Sequence, residues 1–470
     1  MGELKKKYNL IVFNWFALLI FSTVSANGQS FARGRITDTV KCLDHPGYSY
    51  ALYLPAIYTQ KAKWPLILIF DPGARGITAV EVFRKAAEKY GYLLACSYNS
   101  RNGTLNNNFT SAGYMLNDLS KRFVLDEKRI YAAGFSGGSR FALALASSSE
   151  IIAGVIGCGA GLPNDESLIP SAKSSFIYYG VAGNRDMNFL EMFDLITFFN
   201  TRTQVIPYLR TFDGGHQWPS AEIAREAVEW INLQAMKNKL TLPDSAYISF
   251  YSDKIKTLVK NLLSNRDTYD AARYIRYAIR DFSGSPVARE MAKLLGPLED
   301  SKDYRDASRT WSKTASLEKS RSENYLSSVL KTVSSGSIPD TAIAWWRREI
   351  GSLVTTRDRG NKTNREMASR LLNFISILCS EQGTAYYRQE RFDISIFLFE
   401  ICTLSDSENM NNYYNLARSL SGANKKREAI EALGKAFEHG LVMRKNIENE
   451  HAFDNLRNEE KFKALLLKMK

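Results

Sequence analysis

The chain has 470 residues, 45% of them hydrophobic, more than one ordinary domain holds and enough for two or three packed cores. Its formal net charge of +13 is spread over both halves, and past the N-terminal lysines no basic run exceeds Lys425-Lys426-Arg427, so nucleic acid is excluded as an expected partner. Five widely spaced cysteines without a CxxC pair argue against a disulfide framework and a zinc site.

At the N-terminus, Lys5, Lys6 and Lys7 precede an apolar run from Leu10 to Ile20, and Val24-Ser25-Ala26 then supplies small residues. This order reads as a signal peptide over residues 1–26, cleaved after Ala26. The mature protein is therefore expected to be secreted or periplasmic, with no stable membrane span after cleavage.

Residues 48–55 alternate as a half-exposed strand should. Short bounded apolar runs follow at 65–70, 91–97, 129–135, 153–159, 176–182 and 206–212. Helical stretches separate them at 79–90, 140–149, 189–202 and 219–234, while 97–113 reads as a polar loop. Continuous apolar strands alternating with helices predict an α/β domain over 27–240, its mostly parallel sheet covered on both faces.

Beyond residue 240 the strand signals stop and helices joined by short polar turns take over. At an offset of 34 residues, Gly383, Tyr386, Ser395, Phe399 and Cys402 align with Ala417, Leu420, Ala429, Leu433 and Ala436. This small–large–small–large–small pattern resembles two tetratricopeptide repeats. The C-terminal region is accordingly expected to be all-α, with repeats and a capping helix pair over 376–470. Residues 241–375 show no clean register and read as degenerate repeats or a plain helical bundle. Such repeats bind peptides or proteins or pack on a neighbouring domain, which makes this half a candidate site for a protein or peptide partner.

The run at 129–135 ends at Gly134-Phe135-Ser136-Gly137-Gly138, a G-x-S-x-G pentapeptide between a buried strand and a helix. A serine held on so sharp a turn needs small neighbours, and this context reads as a nucleophile elbow. The serine needs a base. Of the four histidines (His45, His216, His439 and His451), only His216 follows the last strand of the α/β half, in "TFDGGHQWP". Asp186, past the strand at 176–182, is the favoured partner for its imidazole, with Asp165, Glu166 and Asp213 as alternatives. The order Ser136, Asp186, His216 is that of the strand-end triad. Gly137 is expected to give one oxyanion N–H. The second is expected from the "FDPGARG" loop, where Pro72 has no N–H, so Gly73 is favoured over Ala74.

"DEKRIYAAGFSGGSRFA" and "GGHQWP" make residues 48–234 similar to the α/β-hydrolase family, and most similar to its secreted polyhydroxybutyrate depolymerase, feruloyl esterase and dienelactone hydrolase types. The resemblance implies an α/β-hydrolase sheet and a serine hydrolase acting on a small-molecule or carbohydrate-linked ester through an acyl-enzyme, with no metal or organic cofactor. A serine peptidase is the alternative among enzymes, and a non-catalytic repeat scaffold with a relic hydrolase domain the alternative outside them. The chain departs from these relatives at Asp71-Pro72, where they usually have His-Gly.

Overall fold

The computed structural model describes residues 31–468 apart from 104, 337, 340 and 443; the expected signal peptide over 1–26 lies outside the described residues. The α/β portion runs β1 (Ile36–Lys41), β2 (Ser49–Tyr53), β3 (Trp64–Phe70), α1 (Gly76–Tyr90), β4 (Leu93–Ser97) and α2 (Leu105–Arg122). It continues through β5 (Leu125–Phe135), α3 (Gly137–Ser148), β6 (Ile152–Cys158), β7 (Ile177–Gly183), α4 (Phe189–Arg202), β8 (Ile206–Phe212) and α5 (Ala221–Lys237). The eight strands form one sheet in the order β1-β2-β4-β3-β5-β6-β7-β8. β1–β2 and β2–β4 pair antiparallel and the remaining pairs are parallel.

β3, β4 and β7 are buried along their whole length, which is why they read as unbroken apolar runs. Pro65 lacks a ladder donor, and the β3–β5 register shifts where it sits, between Trp64 and Leu66. Ile67, Ile69, Tyr131 and Ala133 meet Val80 and Phe83 of α1 and Val228 and Trp230 of α5 in one core. On the other face Phe70 packs edge-on to Phe141 of α3, and Tyr178 packs against Phe199 of α4. An α/β sheet with helices on both faces, followed by an all-α region, is the architecture expected from the sequence.

Two differences bear on the site. The segment read as a polar loop over 97–113 turns helical at Leu105, because Phe109, Ala112, Met115, Leu116 and Leu119 form one buried stripe of α2. Further along, α6 (Ser245–Ser264), α7 (Thr268–Asp281) and α8 (Pro286–Glu299) place Tyr251, Ile255, Tyr274, Ile275 and Met291 in the same core as α1 and α5. The first compact unit therefore runs to Arg309 rather than ending near 240. The reason is the apolar stripe of α7, whose Tyr277 ring lies 4.5 Å from that of Tyr208 on β8.

The second unit, Thr310–Lys470, holds most of α9 (Lys302–Ser334), then α10 (Ala342–Arg359), α11 (Lys362–Arg388), α12 (Phe392–Ser405), α13 (Met410–Gly422) and α14 (Lys426–Glu438). The short α15 (Arg444–Asn449) and α16 (Glu460–Lys468) follow. Ser395 Oγ on α12 donates to the Gly383 carbonyl of α11 at 3.0 Å, and Ala417, Ala429, Leu433 and Ala436 are fully buried. Arg370 and Glu318, both buried, form a two-pronged ion pair at 2.8 and 2.6 Å between α11 and α9.

Candidate active site

Ser136 is the single residue between β5 and α3, at φ 53° and ψ −123°. A non-glycine residue reaches positive φ at a steric cost, and such strain persists only where the surroundings hold it. Here the Ser136 N–H donates to the Cys158 carbonyl on β6 at 2.8 Å, and its own carbonyl accepts from the Ser139 and Arg140 N–H groups. The flanking glycines serve the turn differently. A Cβ on Gly134 would overlap the Gly138 carbonyl, and one on Gly138 would overlap the Phe70 carbonyl of β3. Both are needed for close strand–helix approach. Gly137 instead makes room for the Asn102 carboxamide, which a Cβ there would overlap.

His216 Nε2 lies 2.9 Å from Ser136 Oγ. Its Nδ1 lies 2.9 and 3.0 Å from the two oxygens of Asp186. With the ring proton on Nδ1 donated to Asp186, Nε2 is left to accept from the serine hydroxyl. The Asp186 side chain is 1% exposed and that of His216 17%, so the imidazole is reachable while the acid is shielded.

The loops that carry the two residues are tied together. The Arg185 N–H donates to the Gly214 carbonyl, and the Asn184 N–H donates to that of Phe212. Asp186 Oδ1 also accepts the Asn188 N–H at 2.8 Å, and Asn188 Nδ2 donates to the Gly159 carbonyl at 2.7 Å.

The three expected triad residues, Ser136, His216 and Asp186, are thus brought into one hydrogen-bonded chain. The alternative acids lie elsewhere. Asp165 accepts from the N–H and hydroxyl of Ser167, and Glu166 sits exposed on the one-turn helix Glu166–Leu168. Asp213 pairs with Arg185 and is 78% exposed.

The oxyanion side differs from expectation. Gly137 keeps its N–H without an acceptor among the described residues, at the start of α3. The Gly73 N–H, favoured as second donor, instead donates to Asp71 Oδ1 at 2.8 Å, and the Ala74 N–H donates to the Asp71 carbonyl at 3.0 Å. Asp71 is the cause. Its buried carboxylate also accepts Arg75 N, Nε and Nη2 at 3.2, 2.9 and 2.9 Å, and Trp218 Nε1 at 2.8 Å. Burial opposes ionisation of this carboxyl, but the donors from Arg75, Trp218 and the loop backbone outweigh it and hold it below the usual carboxylate range.

Several residues around the site escaped the sequence reading. Phe135, beside the nucleophile, stacks obliquely on His216 with ring centroids 4.7 Å apart and on Trp218 at 5.6 Å. Gly159 has φ +64°, and a Cβ there would stand 2.8 Å from Asp186 Oδ2 and 3.4 Å from His216 Nδ1. A glycine following an apolar strand was the only available signal. Among the described residues, no group of three or more His, Cys, Asp or Glu side chains is placed to hold a metal ion.

No family model and no curated protein matches this sequence. Among solved structures the chain is similar to Est1E from Butyrivibrio proteoclasticus, at 18% identity over 40% of this chain and 95% of that one, TM-score 0.32. It is similar also to an S-formylglutathione hydrolase from Agrobacterium tumefaciens, at 15% identity over 43% of this chain and 97% of that one, TM-score 0.33. The acylaminoacyl peptidase of Pyrococcus horikoshii matches at 12% identity over 45% of this chain and 42% of that one, TM-score 0.31.

Proposed function

We propose that the first unit is a serine hydrolase acting on carboxylic esters. Ser136 Oγ attacks the ester carbonyl while His216 Nε2 takes its proton, and Asp186 holds the imidazole in the tautomer that can accept it. The carbonyl π bond opens to a tetrahedral oxyanion beside the Gly137 N–H. Collapse breaks the bond to the alcohol, which leaves with the proton from His216. Water, deprotonated by the same histidine, then attacks the acyl-enzyme and releases the acid and Ser136.

The observation that carries this reading is the continuous Ser136–His216–Asp186 hydrogen-bond chain at a serine of positive φ. The N-terminal segment is proposed to export the protein to the periplasm or beyond. The helical unit is proposed to be tetratricopeptide-like, with a peptide or protein as its partner; the burial of Ala417, Ala429, Leu433 and Ala436 supports that packing.

Hydrolysis of p-nitrophenyl butyrate by the full chain and by Ser136→Ala tests the central reading. The expected result is measurable turnover by the natural protein and its loss, by up to about a million-fold, in the variant. Equal rates would overturn it.

A further inference from the structure

A tetrahedral oxyanion is usually met by two donors, and among the described residues the Gly137 N–H beside the nucleophile is free to be one of them. The β3–α1 loop offers no second one. Pro72 has none, and the Gly73, Ala74 and Arg75 N–H groups all point back to Asp71. The position after the nucleophile in G-x-S-x-G admits any residue, yet this chain has glycine. The structure gives the reason: the space a Cβ would fill holds the carboxamide of Asn102, with Oδ1 1.9 Å and Nδ2 3.5 Å from that point, and with no hydrogen bond among the described residues fixing the amide it is free to turn Nδ2 inward.

The Asn102 backbone is held firmly. Its N–H donates to the Pro72 carbonyl at 2.9 Å, fastening it to the Asp71-Pro72 loop. Ser97 Oγ accepts the Asn99 and Ser100 N–H groups, both at 3.1 Å. Asn108 brackets Arg101, accepting from its N–H at 3.1 Å and donating to its carbonyl at 3.0 Å. By contrast the Asn102 carboxamide is exposed and has no hydrogen-bond partner among the described residues. A carboxamide on a fastened backbone, unengaged and set against the residue carrying the first oxyanion N–H, is placed to turn its own N–H toward a developing negative charge.

We propose that Asn102 is a catalytic residue: its side-chain amide is the second oxyanion donor, in the place that the backbone of the β3–α1 loop leaves empty. The inference rests on the ester-hydrolase reading. Gly137 is then glycine for chemistry as well as for the turn, since any side chain there would displace the carboxamide.

The test is the steady-state hydrolysis of p-nitrophenyl butyrate by the full chain and by Asn102→Ala, Asn102→Asp and Gly137→Ala. Asn102→Asp keeps the shape and removes the donor, so it stands in if the alanine variant fails to fold. The expected result is a fall in kcat of about a hundred-fold in all three, with KM within about three-fold of the natural value. Rates unchanged in Asn102→Asp, or a loss carried by KM alone, would overturn the assignment while leaving the hydrolase reading intact. A natural protein with no Ser136-dependent turnover would instead overturn the hydrolase reading itself.

Discussion

On the side of Ser136 that faces His216, two strand-end loops are cross-tied and the acid–base pair is complete in the resting protein. At the end of β3, by contrast, the loop is turned in on a carboxylate, and its N–H groups face Asp71. The two sides are built by different means. Gly159 and Gly183 clear room for side chains and loops on the first, whereas five donors to one buried carboxylate tie down the second. The lesson is that a complete acid–base pair at a nucleophile can coexist with a β3–α1 loop whose backbone donors are spent on its own carboxylate.

The largest loss of activity is expected on the acid–base side. Asp186→Asn keeps the geometry but favours the wrong imidazole tautomer, and kcat is expected to fall about ten-thousand-fold. Asp165→Asn and Asp213→Asn, measured alongside, should stay within about two-fold, because neither carboxylate touches the histidine. A comparable loss in either would move the acid away from Asp186.

A smaller effect is expected at Gly159. Alanine there must adopt positive φ, at about 1–2 kcal/mol, and its Cβ presses on Asp186 and His216. The expected outcome is a kcat loss of about a hundred-fold, larger than that strain alone explains, together with a lower denaturant midpoint. Unchanged kcat in the folded variant would show that the pair tolerates displacement.

The smallest effect on catalysis, and one mainly on stability, is expected from Asp71→Asn. Replacing an acceptor-only carboxylate by an amide leaves Arg75 or Trp218 facing an N–H, at a cost of about 2 kcal/mol in urea unfolding. The sign with pH follows from the lowered carboxyl pKa. Stabilisation by Asp71 is complete above the unfolded value of about 3.9 and is lost as pH falls through the lower folded value. The gap between natural protein and variant should therefore narrow on acidification below about pH 4; a gap that widens would contradict the network described here.

Much of this was legible in the residues themselves. The apolar runs announced the parallel strands because both faces of the sheet are covered, and Ser136, Asp186 and His216 stood at strand ends in a readable order. The β3–α1 loop was not legible, since nothing in "FDPGARG" states that Asp71 turns inward to accept its own loop. Asn102 was hidden too, because the polar stretch around it reads as solvated loop until Ser97 and Asn108 are seen to fasten it. The boundary at Arg309 was obscured for another reason: α6, α7 and α8 show ordinary amphipathic periods, and only packing reveals that their apolar faces meet the sheet.

If Ser136 is an activated nucleophile, a fluorophosphonate added to the full chain should mark it, and peptide mass spectrometry locates the adduct. The expected result is a single adduct on Ser136, formed in the natural protein and lost in His216→Ala. A natural protein that stays unlabelled at Ser136, or one labelled equally well without His216, would contradict it.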